Sequence, residues 1–242
     1  MRDKFQTALR VVFPPRCVGC GALVETDFQL CGSCWVKTPF ITGLVCHHCG
    51  VSLPGSSDGR TVLCDDCLET PRPWSAGRAA LLYQDSGRRL VLSLKHGGRL
   101  EVARAAAGWL ERASQDLLRP NMIVAPIPLH WTRLFQRTFN QSAVLAWALA
   151  KRTGHEICPD LLSRRKRTAS LDHKSAAVRF ETLDNTMDVP AKHHTLISGR
   201  PVLLVDDVMT SGATFTAATH SCFAAGCSDV FVLSLARVAK DA

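Results

Sequence analysis

The chain has 242 residues, 46% of them hydrophobic, and a formal net charge of +8. That length fits one full domain plus a small module, and the apolar content is enough for a packed core. No apolar run approaches the roughly 20 residues needed to span a bilayer, and residues 1–15, with Asp3 and Lys4 early and no continuous apolar centre, do not read as a secretory leader.

Near the N-terminus Phe5, Leu9 and Val12 share one helical face, which reads as a short helix docked on its own protein, with membrane contact the weaker alternative. The cysteines come next. Eight of the eleven form four CxxC pairs: Cys17 with Cys20, Cys31 with Cys34, Cys46 with Cys49, and Cys64 with Cys67. This is metal spacing, not a disulfide framework, and it fits a reducing, cytoplasmic compartment. Each pair is a knuckle lending two thiolates, and two knuckles complete a tetrahedron, giving one or two structural Zn²⁺ sites. Redox dithiols and iron–sulfur clusters are the competing readings, and no thioredoxin-like βαβ context favours the first. Ten residues separate the first two knuckles, which favours sequential pairing over a cross-brace. His47 and His48 are expected to face solvent, and Cys158, Cys222 and Cys227 read as core or surface thiols.

Charge divides the chain unevenly. Residues 1–75 hold seven Lys/Arg and seven Asp/Glu, while residues 76–242 hold 22 against 14 and so carry the whole +8. A Zn²⁺ held by four thiolates carries a net −2, so two sites would take the N-terminal part to about −4. An acidic knob on a basic body is expected, with any attraction for phosphate or nucleic acid in the second domain.

Residues 54–59 read as a loop tip, and Pro71-Arg72-Pro73 as a linker. The boundary is placed near residue 75, separating a zinc-binding module (1–75) from a second domain (76–242), with Trp74 capping the interface. A strand is expected over 78–83, then a helix over 86–94 ending in Lys95-His96-Gly97-Gly98. A second helix is expected over 101–118 and a buried strand over 122–125, stopped by Pro126 and Pro128. The segment that follows carries Arg133, Arg137, Asn140 and Gln141. In an open α/β sheet ligands bind at the carboxyl ends of the strands, and guanidinium forks match pyrophosphate oxygens. The plainer reading is a solvated loop with a helix N-cap at Asn140 or Ser142. A helix over 142–152 closes at Gly154. The basic run Arg164 to Arg167 is a solvated loop or, more sharply, a phosphate or DNA contact, and a last strand over 230–235 leads to Arg237 at the ligand end. Strands and helices alternate, so a mostly parallel sheet flanked by helices is expected.

The organising stretch is residues 200–216, RPVLLVDDVMTSGATFT. Val202 to Val205 reads as a buried strand; Asp206 and Asp207 follow; Thr210, Ser211, Gly212, Ala213 and Thr214 form a small-residue turn; and residues 215–225 form a helix closed by Gly226. A turn feeding a helix start points several N–H groups one way and suits a phosphate. Paired carboxylates suit a sugar diol or a hydrated cation. Together they describe a ribose 5-phosphate.

VLLVDDVMTSGAT resembles the signature of type I phosphoribosyltransferases, which bind phosphoribosyl pyrophosphate (PRPP). With LKHGG, PIPLHWTRLFQRTFNQ and the CxxC pairs ahead of them, the chain resembles the ComF family over residues 17–237. The resemblance implies a phosphoribosyltransferase-like α/β domain behind a double zinc ribbon. It implies Asp206 and Asp207 as the catalytic pair on the ribose hydroxyls, residues 210–214 on the 5-phosphate, and Arg133, Arg137 and Lys95 facing the pyrophosphate, with Mg²⁺ accompanying PRPP. In the 168–185 region Thr168 and Ser175 fit the family pattern, whereas Leu171, Lys174, Thr182 and Asn185 depart from it, which leaves the acceptor open. It further implies a role in natural transformation, where single-stranded DNA enters the cytoplasm, with a helicase-like partner and a peripheral link to a membrane channel. A PRPP- or nucleotide-binding adaptor without turnover and a zinc-ribbon nucleic-acid regulator are the alternatives.

Overall fold

The computed structural model describes residues 13–56, 59–96, 98–129, 139–164 and 186–239. Its centre is a five-stranded sheet of β1 (Ala76–Leu82), β2 (Ile123–Pro126), β3 (Glu156–Ile157), β6 (Val202–Met209) and β7 (Val230–Arg237). The order is β1-β7-β6-β2-β3, and every neighbouring pair is parallel. Two short strands, β4 (Ser163–Arg164) and β5 (Met187–Asp188), pair antiparallel beside it.

The apolar runs of β6 and β7 are buried on both faces, as parallel strands covered on each side must be. Leu203, Val205, Leu233 and Leu235 join one core with α3 (Asp85–His96), α4 (Leu100–Ala113) and α5 (Gln141–Thr153). The alternate residues Val202, Leu204, Val230 and Val232 join a second core with α7 (Ala213–Ala224) and Ile197 of α6 (His194–Ile197). Ala103, Ala105, Ala106 and Ala107 of α4 are buried, which brings that helix close to the sheet. Asn140 caps α5 by accepting from the Ser142 N–H, and Gly154 closes it in the left-handed region at φ 72°.

The short strands β3, β4 and β5 were not expected, and two elements differ most from their expected lengths. Strand β6 continues through Asp206 and Asp207 to Met209, because β7 keeps pairing with it as far as Met209↔Arg237. The acid pair is therefore part of the sheet and does not follow it. Helix α4 stops at Ala113, and the next residues make a separate turn in which the Leu117 N–H donates to the Ser114 carbonyl at 2.8 Å. Leu117 stays buried, so the apolar periodicity outlasts the helix.

The cysteine module, with its short helices α1 (Gly32–Lys37) and α2 (Asp65–Glu69), is not a knob on a free linker. Between its halves, residues 39–41 run antiparallel to β1: the Ile41 N–H donates to the Ala80 carbonyl at 2.9 Å and the Leu82 N–H to the Pro39 carbonyl at 2.9 Å. This covers a sheet edge that would otherwise present unpaired backbone. The second half lies over the start of β1. Gly77 donates to the His47 carbonyl at 2.9 Å, and Trp74, 2% exposed as a cap should be, donates its indole N–H to the His48 carbonyl at 2.6 Å. The two histidines thus sit half-buried at the interface and not in solvent; burial pushes the His48 imidazole pKa down.

This approach is close enough to demand glycine on both sides. A Cβ on Gly77 would lie 2.2 Å from the His48 carbonyl oxygen, and one on Gly50, at φ +68°, would lie 2.6 Å from the Arg78 Cα. Gly50→Ala is expected to cost about 2–4 kcal/mol, combining overpacking with left-handed strain. Gly43→Ala, at φ +77° but in open space, carries only the strain and should cost about 1 kcal/mol. Urea unfolding of the two variants against wild type checks the difference.

Candidate functional site

Pro126 of β2 is level with Val205 of β6, and β2 ends there. Among the described residues no strand pairs with β6 on its β2 side from Asp206 onward, and the acid pair stands at this step, at the strand end where ligands bind in open α/β sheets. Successive strand residues point to opposite faces, and the two carboxylates take different partners. Asp206 Oδ1 accepts from Ser142 Oγ at 2.7 Å and from the Asp207 N–H at 2.8 Å. Asp207, buried, pairs with Lys95 Nζ at 3.1 Å. Burial, with the Asp207 charge beside it, pushes the Asp206 carboxyl up to about 7, against the opposing pull of Ser142 and Lys95.

The turn after β6 carries Thr210 exposed, Ser211 and Thr214 half-buried, and Gly212 and Ala213 buried. Gly212 caps α7 at φ 83°, ψ −2°, and its carbonyl accepts from the Thr216 N–H at 2.9 Å. The Ala213 N–H leans on Ser211 Oγ at 3.4 Å. Two guanidinium groups hold this turn by its carbonyls. Buried Arg237, on β7, donates from Nη1 to the Thr210 carbonyl at 2.6 Å. Arg72 donates from Nη1 to the Ser211 carbonyl at 2.7 Å. In a trans peptide the N–H points opposite to the C=O, so the Ser211 and Gly212 N–H groups face away from the arginines.

The fold therefore brings Asp206, Asp207, Lys95 and residues 210–214 together. Arg133 and Arg137 lie outside the described residues, as do the 168–185 positions and most of the basic run. Sequence reasoning missed Ser142 as the Asp206 donor and Arg72 as a holder of the turn. The signal for Ser142 was its place two residues after the Asn140 cap; Arg72 sat in a Pro-Arg-Pro reading as linker.

The cysteines form two four-thiol clusters, Cys17/Cys20/Cys31/Cys34 and Cys46/Cys49/Cys64/Cys67, with the sulfurs of each within 4.8 Å of one another. Pairing is sequential, as the short first loop favoured. Thiolates bound to a tetrahedral Zn²⁺ at about 2.3 Å stand about 3.8 Å apart; Cys20–Cys31 and Cys49–Cys64 Sγ distances are both 3.6 Å. Backbone N–H groups of Gly19 and Cys31 point at Cys17 Sγ, and that of Cys64 at Cys46 Sγ, as donors to thiolate should. The residues fit structural zinc. The second site is the more buried. A third group, Cys158, Asp160 and His193, differs in kind: Lys192 already places its ammonium on Asp160, and burial pushes the Cys158 thiol up to about 11. It ties residues 158–160 to residues 192–193.

Fold and clusters together define a two-part protein, a module of paired four-cysteine clusters on a parallel α/β sheet. The double zinc ribbon domain model matches residues 8–68. The DNA utilization protein YhgH of Salmonella typhimurium is 31% identical over 229 residues, covering 91% of this chain and 89% of that protein. Competence protein F of Haemophilus influenzae is 25% identical over 92% of this chain and 96% of its own length, and competence protein ComFC of Bacillus subtilis 26% over 79% and 77%. The chain belongs to the ComF family, to which the sequence motifs pointed. Among solved structures, an adenine phosphoribosyltransferase from Thermoanaerobacter pseudethanolicus matches at 14% identity and TM-score 0.36, covering 58% of this chain and 82% of that one; a likeness at that level carries no argument. No helix among the described residues is long and apolar enough to cross a membrane.

An acid with a raised folded-state pKa holds its proton more tightly when folded. Its contribution to stability is greatest below about pH 4 and is lost as the pH rises toward 7. Asp206→Asn keeps an oxygen for Ser142 and removes the buried charge, so it is expected to stabilise the ligand-free protein by about 1–3 kcal/mol at pH 8 and to change little at pH 4; urea midpoints across that range test this. Elemental analysis should find two zinc ions per chain, with Cys31→Ser and Cys67→Ser each losing one.

Proposed function

We propose that the carboxyl end of β6 binds PRPP with its Mg²⁺, and that the protein is a phosphoribosyltransferase-like member of its family acting in the handling of incoming single-stranded DNA. The observation that carries the reading is the continuity of the acid pair, the clamped turn and the start of α7 on one stretch of chain. The N–H groups of Ser211 and Gly212, with the hydroxyls of Thr210, Ser211 and Thr214, would take the 5-phosphate and fix the sugar's orientation. Asp206 and Asp207 would accept from the ribose hydroxyls and offset the positive charge that develops on the ring as pyrophosphate leaves C1. Lys95, one side chain from Asp207, would meet the pyrophosphate with Arg133 and Arg137. The accompanying Mg²⁺ would supply charge neutralisation on the phosphates. Residues 1–75 are the ribbon module and 76–242 the ligand-binding domain in this reading, and a reducing cytoplasm is the compartment that suits eight thiols at metal-ligand spacing.

A binding-only adaptor is the second reading. The names of the relatives described above speak of DNA utilization and competence and none of transfer. A helicase-like partner, a membrane channel and single-stranded DNA belong to either reading.

Calorimetry with Mg²⁺-PRPP should give saturable heat that vanishes in the Asp206→Ala/Asp207→Ala double variant. Because the ribose hydroxyls favour the ionised carboxyl, binding should release protons near pH 6–7, seen as a dependence of the heat on buffer ionisation enthalpy, and Asp206→Asn should abolish that release. Pyrophosphate release that requires an added base would establish turnover; its absence with binding intact would establish the adaptor.

A further inference from the structure

Arg72 joins two sites that sequence alone keeps apart. Its Nε donates to Cys67 Sγ, a ligand atom of the second four-cysteine cluster, at 3.5 Å. Its Nη1 donates to the Ser211 carbonyl in the turn after β6, at 2.7 Å. The guanidinium carbon stands 5.9 Å from the Trp74 ring centroid, and Trp74 packs edge-on against Phe215 in the first turn of α7, at 6.1 Å. The space where a Gly212 side chain would begin is already filled, with Trp74 Cη2 at 3.0 Å and Arg72 Nη1 at 3.3 Å. The back of the turn is thus built from the rim of the ribbon. The first cluster packs elsewhere: Val18, within its first knuckle, joins the core on the other face of the sheet.

We propose that Arg72 is a positioning residue that couples the second four-cysteine site, and not the first, to the grip of the 210–214 turn on a ligand phosphate; this rests on the phosphate reading of that turn. Four thiolates around Zn²⁺ leave a net charge of −2 that holds the guanidinium in place, and an N–H donor to a metal thiolate is a normal outer contact of such a site. With one arm fixed on Cys67, the other fixes the Ser211–Gly212 peptide and so the direction of the Gly212 N–H. Without the metal, Cys67 would lose the coordination that fixes its sulfur. Arg72 would then lose a fixed anchor for one arm, and the Ser211–Gly212 peptide held by the other arm would lose its fixed direction. Each phosphate would have to order the turn itself, at a cost in affinity.

The test is calorimetric titration of Mg²⁺-PRPP into the full chain, with zinc counted in each sample. Arg72→Met keeps the apolar stem against Trp74 and removes both donors. It is expected to retain two zinc ions and to bind about tenfold or more weakly. Cys67→Ser should lose one zinc and weaken binding at least as much, whereas Cys31→Ser should lose one zinc and bind as wild type does. In cobalt-loaded protein the thiolate-to-metal absorption should shift on adding PRPP, and the shift should be absent in Arg72→Met. Wild-type binding with Arg72→Met unchanged overturns the coupling and leaves the phosphate reading standing, and Cys31→Ser weakened as much as Cys67→Ser overturns it equally. No heat from zinc-loaded wild type overturns the phosphate reading and the coupling with it. Should Cys67→Ser fail to fold, Arg72→Met, with its metal retained, decides alone.

Discussion

The close approach of the ribbon backbone to the first strand is the constraint that everything else accepts. Gly50 and Gly77 let the two backbones touch, and no side chain could separate them without moving one layer off the other. Once they touch, Trp74 reaches the His48 carbonyl and closes the second core, and Arg72 is delivered to the back of the turn after β6. The module is therefore part of the wall of the candidate site. Its negative metal clusters and the basic second domain are not two separable surfaces, because one arginine belongs to both.

The sheet contributes the other half of the site. Its hydrogen-bonded register carries β6 past the end of β2, so two carboxylates stand on backbone that β7 still pairs but β2 no longer does. Burial of the Asp206 carboxyl, with the Asp207 charge next to it, raises its pKa to about 7. The Lys95 ammonium compensates Asp207, whereas Asp206 is met by two neutral donors, the Ser142 hydroxyl and the Asp207 N–H.

Much of this was legible in the chain itself. The CxxC pairs gave the clusters and their order, since a knuckle's geometry is local. The apolar runs gave four of the five strands of the central sheet and missed the two-residue β3, and Gly154 and Gly226 marked helix ends because a left-handed closing residue leaves a distinct sequence trace. What stayed hidden depends on partners distant in sequence. Nothing local says that β6 keeps a neighbour beyond Val205; that is decided by β7. Nothing in Pro-Arg-Pro announces that its arginine spans from a thiolate to a peptide carbonyl in another part of the fold, and His47 and His48 look solvated until β1 lies beneath them.

The strand order has a consequence for the life of the chain on the ribosome. β1, the strand that receives the ribbon, pairs within the sheet with β7, the last strand to be made; Ala76 finds Phe231. The knuckles are local and can close around metal as soon as they emerge, whereas a sheet of such long-range pairings forms late and slowly. Closure of the knuckles thus comes first in birth order and the pairing of β1 with β7 last, so the strand that receives the ribbon waits for more than a hundred further residues before it gains its sheet neighbour.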